Sequence, residues 1–177
     1  MPILPEHLRP EPGEYPPYFD VYFIRLPDGD LFDILAQQPR ALRDLLGGLD
    51  ADQQLSRYAD GKWSVKEVVG HIIDTERIFA YRGLRIMRGD VTPLSGFDQD
   101  TFVASAAFDG RSIESLLGEF DALRRSNVLL FEGHSPETYV REGVASDHRI
   151  SLRAILNVLV AHVEHHMSIL WERYLSR

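Results

Sequence analysis

An all-α fold, an antiparallel four-helix bundle, is what this 177-residue sequence predicts, on three observations. Residues 64–89, 112–131 and 151–175 carry apolar side chains at a 3.6-residue period. Residues 31–49 carry the same pattern, broken at Pro39. A composition of 44% hydrophobic and 26% charged residues is that of a packed domain. With no internal repeat and no low-complexity tract, a single domain over 1–177 is expected.

Residues 1–30 form the exception to helical patterning. Pro10, Pro12, Pro16 and Pro17 alternate with Tyr15, Tyr18, Phe19, Tyr22 and Phe23. Each proline lacks a donor and fixes φ, so a regular helix is not expected. The aromatics still require burial, which predicts an arm wrapped over the domain, either covering core or lining a pocket with its tyrosines. LPDGD (26–30) is a turn. Leu31, Ile34 and Leu35 then begin a helical piece, and Pro39 is expected to open a second one carrying Leu42, Leu45, Leu46 and Leu49. Asp50 opens a short turn through Leu55.

The second long helix is the clearest. Ser64 followed three residues later by Glu67 is a capping box, and Val65, Val69, Ile72, Glu76, Phe79, Gly83 and Ile86 keep the helical period. After a loop at 91–100 and a short helix near 100–107, the third helix opens at Ser112 and carries Leu116, Phe120, Leu123 and Leu130 on one stripe. Asn127 is the polar exception on that stripe. TYVREGV and HRIS pair as a small hairpin across 145–147, and the last helix runs from Ser151 to about Leu175.

The totals exclude several classes of function. A net charge of −8 without a cluster of Lys and Arg makes nucleic acid a poor partner, since affinity for phosphates needs basic side chains. An anionic membrane surface is disfavoured for the same reason, and no stretch approaches the ~20 apolar residues that span a bilayer. The amino terminus has no basic segment leading into an apolar core, so a cytoplasmic protein is expected. There is no cysteine. Disulfides, Cys-ligated zinc, iron–sulfur clusters and a cysteine nucleophile are thereby ruled out, and any metal site must use His, Asp and Glu.

AHVEHHMSIL (161–170) gathers three of the seven histidines on the last helix. At about 100° per residue, Ile155, Leu159, His162, His166 and Ile169 share one inward stripe. His165 falls on another, with Val158, Ala161, Ser168 and Glu172, and is expected to reach solvent. Two imidazoles one turn apart can bind one ion; they can equally be hydrogen-bonded core residues. His71 lies at the border of the apolar face of the second helix, flanked by Glu67 and Asp74. Carboxylates beside an imidazole can orient its ring, or they are ordinary helix-surface charges, Asp74 pairing with Arg77 or Arg82. If the two helices are neighbours, His71, His162 and His166 form a three-nitrogen set with coordination positions open to water and substrate. His7, in the arm, and His134 and His148, in polar loops, read as solvated.

WSVKEVVGHIIDTER, a long gap and HVEHHMSILWERY together resemble the DinB-like superfamily of metal-dependent four-helix proteins, in particular its bacillithiol-transferase-like and metal-dependent hydrolase members. PDGD, GKWS and PLSGFD extend the resemblance over nearly the whole chain. It implies a DinB-like bundle with metal ligands at His71, His162 and His166, nickel or zinc as the ion, and a site opening at one end. It also implies a homodimer through helix faces. The activity it implies is that of a metal-dependent hydrolase, or of a transferase using a low-molecular-weight thiol such as bacillithiol, on a small-molecule substrate. It does not imply DNA binding. Asp74, Glu67 and Asn127 are the candidates to orient a ligand or shuttle a proton.

Two readings follow. In the first, a divalent ion with open positions activates water or a thiol supplied from outside. In the second, the ion or the buried histidines staple the bundle of a non-catalytic binding or stress-response module, with Glu67 or Asp74 completing a closed site.

Overall fold

The computed structural model describes residues 8–176; His7 lies outside them. Four long helices form a bundle: α2 (Leu31–Leu46), α4 (Val65–Met87), α6 (Ile113–Phe131) and α8 (Leu152–Ile169). Shorter elements join them: α1 (Asp20–Phe23), α3 (Ala51–Leu55), α5 (Gln99–Ala106), α7 (Pro136–Tyr139) and a hairpin of β1 (Glu142–Ala145) and β2 (His148–Ser151).

The boundaries follow capping chemistry. Asp30, Asp50, Ser64, Asp98, Ser112 and Ser151 each accept a backbone N–H from the first turn of α2 to α6 and α8 in chain order, satisfying donors that the helix itself leaves free. The expected box at Ser64 is complete, with Glu67 accepting from the Ser64 N–H. Pro39 does not open a new helix. It lies within an unbroken α2, buried on the core face beside Gln38. An internal proline costs a helical hydrogen bond, and the burial of Leu31, Leu35, Leu42 and Leu46 along one continuous face outweighs that loss.

The helices pack as a ring in which α2 and α4 each touch both α6 and α8. Two core clusters fix their directions. One takes Leu31 and Leu35 from the start of α2, Ile86 from the end of α4, Phe131 from the end of α6 and Leu152 from the start of α8. The other takes Leu42, Val65, Leu116 and Val163 from the opposite ends. Hence α2 and α8 run one way and α4 and α6 the other. The antiparallel contacts are α2 with α6 and α4 with α8, and the long link through α5 lets α4 and α6 run in the same direction.

The hairpin register pairs Glu142 with Ser151 and Ala145 with His148. Its tip, Ser146–Asp147, has φ of 51° and 66°, the doubly left-handed geometry that suits the twist of a two-residue turn. Leu94 docks beside β1 through the Leu94 N–H to Val144 O and the Ser146 N–H to Leu94 O, so the loop at 91–98 and the hairpin tip form one unit.

The arm carries short helical structure where irregular chain was expected: a 3-10 turn at Pro17–Phe19, then α1. Pro17 occupies a first-turn position, where its missing donor costs nothing. Phe19 is buried, and Tyr15, Tyr22 and Phe23 pack against the first core cluster. Glu14 anchors the arm to the start of α8, accepting from Ser151 Oγ at 2.7 Å and Arg153 Nε at 2.8 Å.

Candidate metal centre

Because α4 and α8 are antiparallel neighbours, the first half of α4 meets the last half of α8, and His71 meets His162 and His166 there. The Nε2 of His162 lies 3.0 Å from that of His71 and 3.1 Å from that of His166. One ligand atom from each ring lies within 4.8 Å of the others, and among the described residues this is the only group of three His, Asp or Glu so disposed. All three residues are at most 8% exposed. Burial holds the His71 pKa down at about 4, with His165 adding to the shift, and holds His162 and His166 well below the ordinary imidazole value. The rings are neutral at pH 7, the form that ligates a metal.

The donor set fits a cation better than it fits hydrogen bonding. An imidazole nitrogen has one in-plane site, holding a proton or a lone pair, so the Nε2 of His162 cannot satisfy both neighbours. Ligand nitrogens held about 2.0–2.1 Å from one ion stand about 2.9–3.4 Å apart, which brackets the two observed separations. The rings are positioned by aromatic packing. Trp63 lies against His71, 4.7 Å between ring centroids, and Tyr22 against His162 at 6.0 Å. Among the described residues no carboxylate hydrogen-bonds any of the three rings, and Nδ1 of His166 is buried without a partner.

The three remaining candidates lie elsewhere. The Glu67 carboxylate accepts from the Ser64 N–H and from Arg57, so it caps α4. Asp74 is half-buried and makes no hydrogen bond or ion pair among the described residues; Arg77 pairs with Glu119 instead. Burial raises the Asp74 pKa, Glu119 adds to the rise, and Arg77 opposes it. Asn127 donates to Glu76 Oε1 at 2.7 Å, inside a polar network that sequence reading missed. In that network Arg124, fully buried, holds its Nε 2.9 Å from Glu76 Oε1 as a charge contact and donates to Gln38 and to Leu159 O. The signal was present: Glu76 interrupts the apolar stripe of α4 as Asn127 does that of α6.

His165 is half-buried, its ring edge-on to Tyr22 at 4.9 Å, because α1 lies across the face of α8 that would otherwise meet solvent. His134 is hydrogen-bonded to Leu130 O and half-buried, while His148 is exposed against the Tyr18 ring.

Two cavities reach the histidines. One, of about 210 Å³, is bounded by Tyr18, Phe19 and Tyr22 of the arm, by His71, Thr75, Phe79 and Arg82 of α4, and by His162. The arm thus both covers core and lines a pocket. The other, of about 500 Å³, meets His166 between Trp63, Lys62 and Tyr174 and shares Gln99 with the first. There the helix continues as a π-helical segment, Leu170–Leu175, which Tyr174 ties to the loop before α4 by donating to Trp63 O at 2.7 Å. Sequence reading missed Thr75, Arg82 and Trp63 as neighbours of the site. The spacing of Thr75 and Arg82 from His71 along α4 was the available signal for the first two, while Trp63 reaches the ring from the loop before the helix. Among the described residues no helix is long and apolar enough to cross a membrane.

The fold is shared with a solved structure. YfiT from Bacillus subtilis, described as a probable metal-dependent hydrolase with an unusual four-helix bundle topology, superposes with a TM-score of 0.73 at 18% identity, over 78% of this chain and 80% of that one. No curated protein matches the sequence. Residues 34–170, which contain all four bundle helices but Leu31–Asp33 and every one of the three clustered histidines, match the sequence profile of the DinB superfamily. The chain belongs to the DinB superfamily.

Proposed function

We propose that this chain is a metal-dependent hydrolase of small molecules, holding one divalent ion on His71, His162 and His166. The observation that carries this reading is the convergence of three neutral nitrogens, with His71 and His162 lining the smaller cavity and His166 the larger. A divalent ion bound there would supply Lewis-acid chemistry, lowering the pKa of a bound water toward neutrality. The chain's own contribution is a fixed donor set, a wall of Phe19, Tyr22 and Phe79 that limits bulk water, and the Thr75 hydroxyl. That hydroxyl is buried without a partner one turn beyond His71 and is available to a bound molecule. Nickel and zinc both suit three imidazoles, and supply in the cell decides between them.

A second reading is a thiol S-transferase, and the second cavity supports it. Two cavities that each reach a different part of the histidine cluster, and share Gln99 as a wall, leave room for a thiol and its acceptor together. With no cysteine in the chain, that thiol, such as bacillithiol, comes from outside. A purely structural staple is disfavoured, since Glu67 is committed to its cap and to Arg57 and Asp74 is not in the ligand set. The homodimer and the cytoplasmic setting belong to the same proposal, and sedimentation of the metal-loaded protein tests the first.

The test is metal analysis of the purified protein, then turnover of activated esters with and without added thiol. About one ion per chain, absent in His162→Ala, with ester turnover that chelator abolishes, is expected. Turnover only with thiol present would favour the transferase. A metal-free protein whose stability ignores chelator would overturn both readings.

A further inference from the structure

Arg82 is a buried cation with no counter-ion. It is 4% exposed, and among the described residues it makes no ion pair. Its Nη2 donates to Ser95 O and to Ser146 Oγ, both at 2.9 Å, and its guanidinium lies over the rings of Phe79 and Phe97 at 5.0 and 5.9 Å. Nε and Nη1 have no hydrogen-bond partner among the described residues and, unlike Thr75 Oγ1, are not sealed from solvent, so they are open to a ligand. The neighbouring arginines differ: Arg77 pairs with Glu119, which Arg111 also holds, and Arg85 pairs with Asp90. Burying an unpaired charge is costly, and proteins normally supply it with a partner.

The position of this charge gives it meaning. His71, Thr75, Phe79 and Arg82 succeed one another along α4 at intervals of four, four and three, and all four line the 210 Å³ cavity. At about 1.5 Å per residue the series spans about 16 Å of helix axis. The ligand nitrogens stand at one end, the partnerless Thr75 hydroxyl comes next, the Phe79 and Phe97 rings follow, and the cation stands at the other end.

We infer that Arg82 is the anchor for a carboxylate on the substrate, which lies along α4 with an apolar or aromatic middle between the Phe79 and Phe97 rings and its reacting group at the histidines. This rests on the reading of the cavity as the substrate pocket. A single guanidinium balances one negative charge, and the other two arginines nearby are already paired, so a carboxylate fits better than a doubly charged phosphate. The cavity is smaller than a drug-sized pocket, which restricts the ligand to a metabolite-sized acid. The positioning is selective as well: an uncharged analogue would leave the cation still uncompensated.

The probe pair is phenylacetate and its neutral isostere phenylacetamide, titrated by calorimetry or by NMR of the Arg82 Nε–Hε resonance. Metal-loaded and chelator-treated protein are compared. The acid is expected to bind at least about tenfold more tightly than the amide, the size of a charge-assisted hydrogen bond, and to shift the Arg82 resonance. The preference is expected to persist without metal, to vanish in Arg82→Gln and to survive in Arg82→Lys. Metal content should be unchanged in both variants. Equal affinity for acid and amide, or no binding of the acid, overturns the inference. So does a preference that chelator removes and Arg82→Gln retains, because the acid would then be a ligand of the ion. Should Arg82→Gln fail to fold, the wild-type pair in chelator decides alone. The outcome is separate from that of the metal reading, since loss of the ion leaves this site intact.

Discussion

His71 and His162 stand with their Nε2 atoms 3.0 Å apart although 91 positions separate them in the chain. Nothing local holds this contact; the antiparallel packing of α4 on α8 does. Ligand-free, it presses together neutral nitrogens that cannot all be satisfied. Metal removal is therefore expected to lower the melting temperature. Saturation at a thousand times the dissociation constant stabilises by about 4 kcal/mol. Melting curves with and without chelator measure this, and a His71→Ala variant should show no difference between them.

Arg124 is expected to be a stability residue. It is wholly buried against Glu76, which is 2% exposed, so Arg124→Ala leaves a buried carboxylate without its counter-charge, held among the described residues only by Asn127, and costs about 3–5 kcal/mol. Replacing both partners by apolar residues, Arg124→Met with Glu76→Leu, should recover much of that loss. Urea denaturation of the two variants and the wild type gives the comparison.

Asn127 separates a structural role from a catalytic one. Asn127→Ala removes the donor to Glu76 and should cost about 1–3 kcal/mol, leaving metal content and ester turnover per folded molecule unchanged. A large fall in turnover at full stability would return this residue to the chemistry.

Gly70 adjoins His71, and a Cβ built on it would stand 2.3 Å from the Phe108 ring. Alanine normally favours a helix over glycine by about 1 kcal/mol. Here the clash outweighs that gain, and Gly70→Ala is expected to destabilise by about 1–3 kcal/mol. Because the displaced element bears on the start of α4, metal affinity should fall with it.

The arm should respond to acid through Glu14. Burial alone raises this carboxyl, but hydrogen bonds from Arg153 and Ser151 more than reverse the effect, leaving the pKa below 4.5. A carboxyl lowered in the folded state contributes stability above its unfolded value, and that contribution is lost as pH falls through the folded value. Stability measured between about pH 6 and about pH 3 should therefore fall less steeply in Glu14→Gln than in the wild type.

Much of the bundle is legible in the sequence because caps and periodicity are local. Ser64 with Glu67, Ser112 and Ser151 announce three helix starts that tertiary packing does not move. Pro39 misleads because its local penalty is smaller than the burial of one continuous leucine face. Helix direction is not legible: the stripes of α4 and α6 are the same whether they run together or opposed, and only the link through α5 decides. The inward histidines could be read from their spacing. What could not be read is the company they keep. Arg82 meets the pocket through the hairpin tip and the loop at 91–98, each placed by contacts far away in sequence. Trp63 and Tyr22 take the orienting role that Glu67 and Asp74, nearer along the chain, were expected to fill.

The three arm residues that enclose the smaller cavity, Tyr18, Phe19 and Tyr22, all precede residue 34, where the family match begins. The histidines and the α4 side of the cavity thus lie within the family match, while its aromatic cover lies before it. Exchanging residues 8–30 for another segment would therefore rebuild one wall of that cavity and, because Tyr22 packs on His162, would bear on the histidines as well.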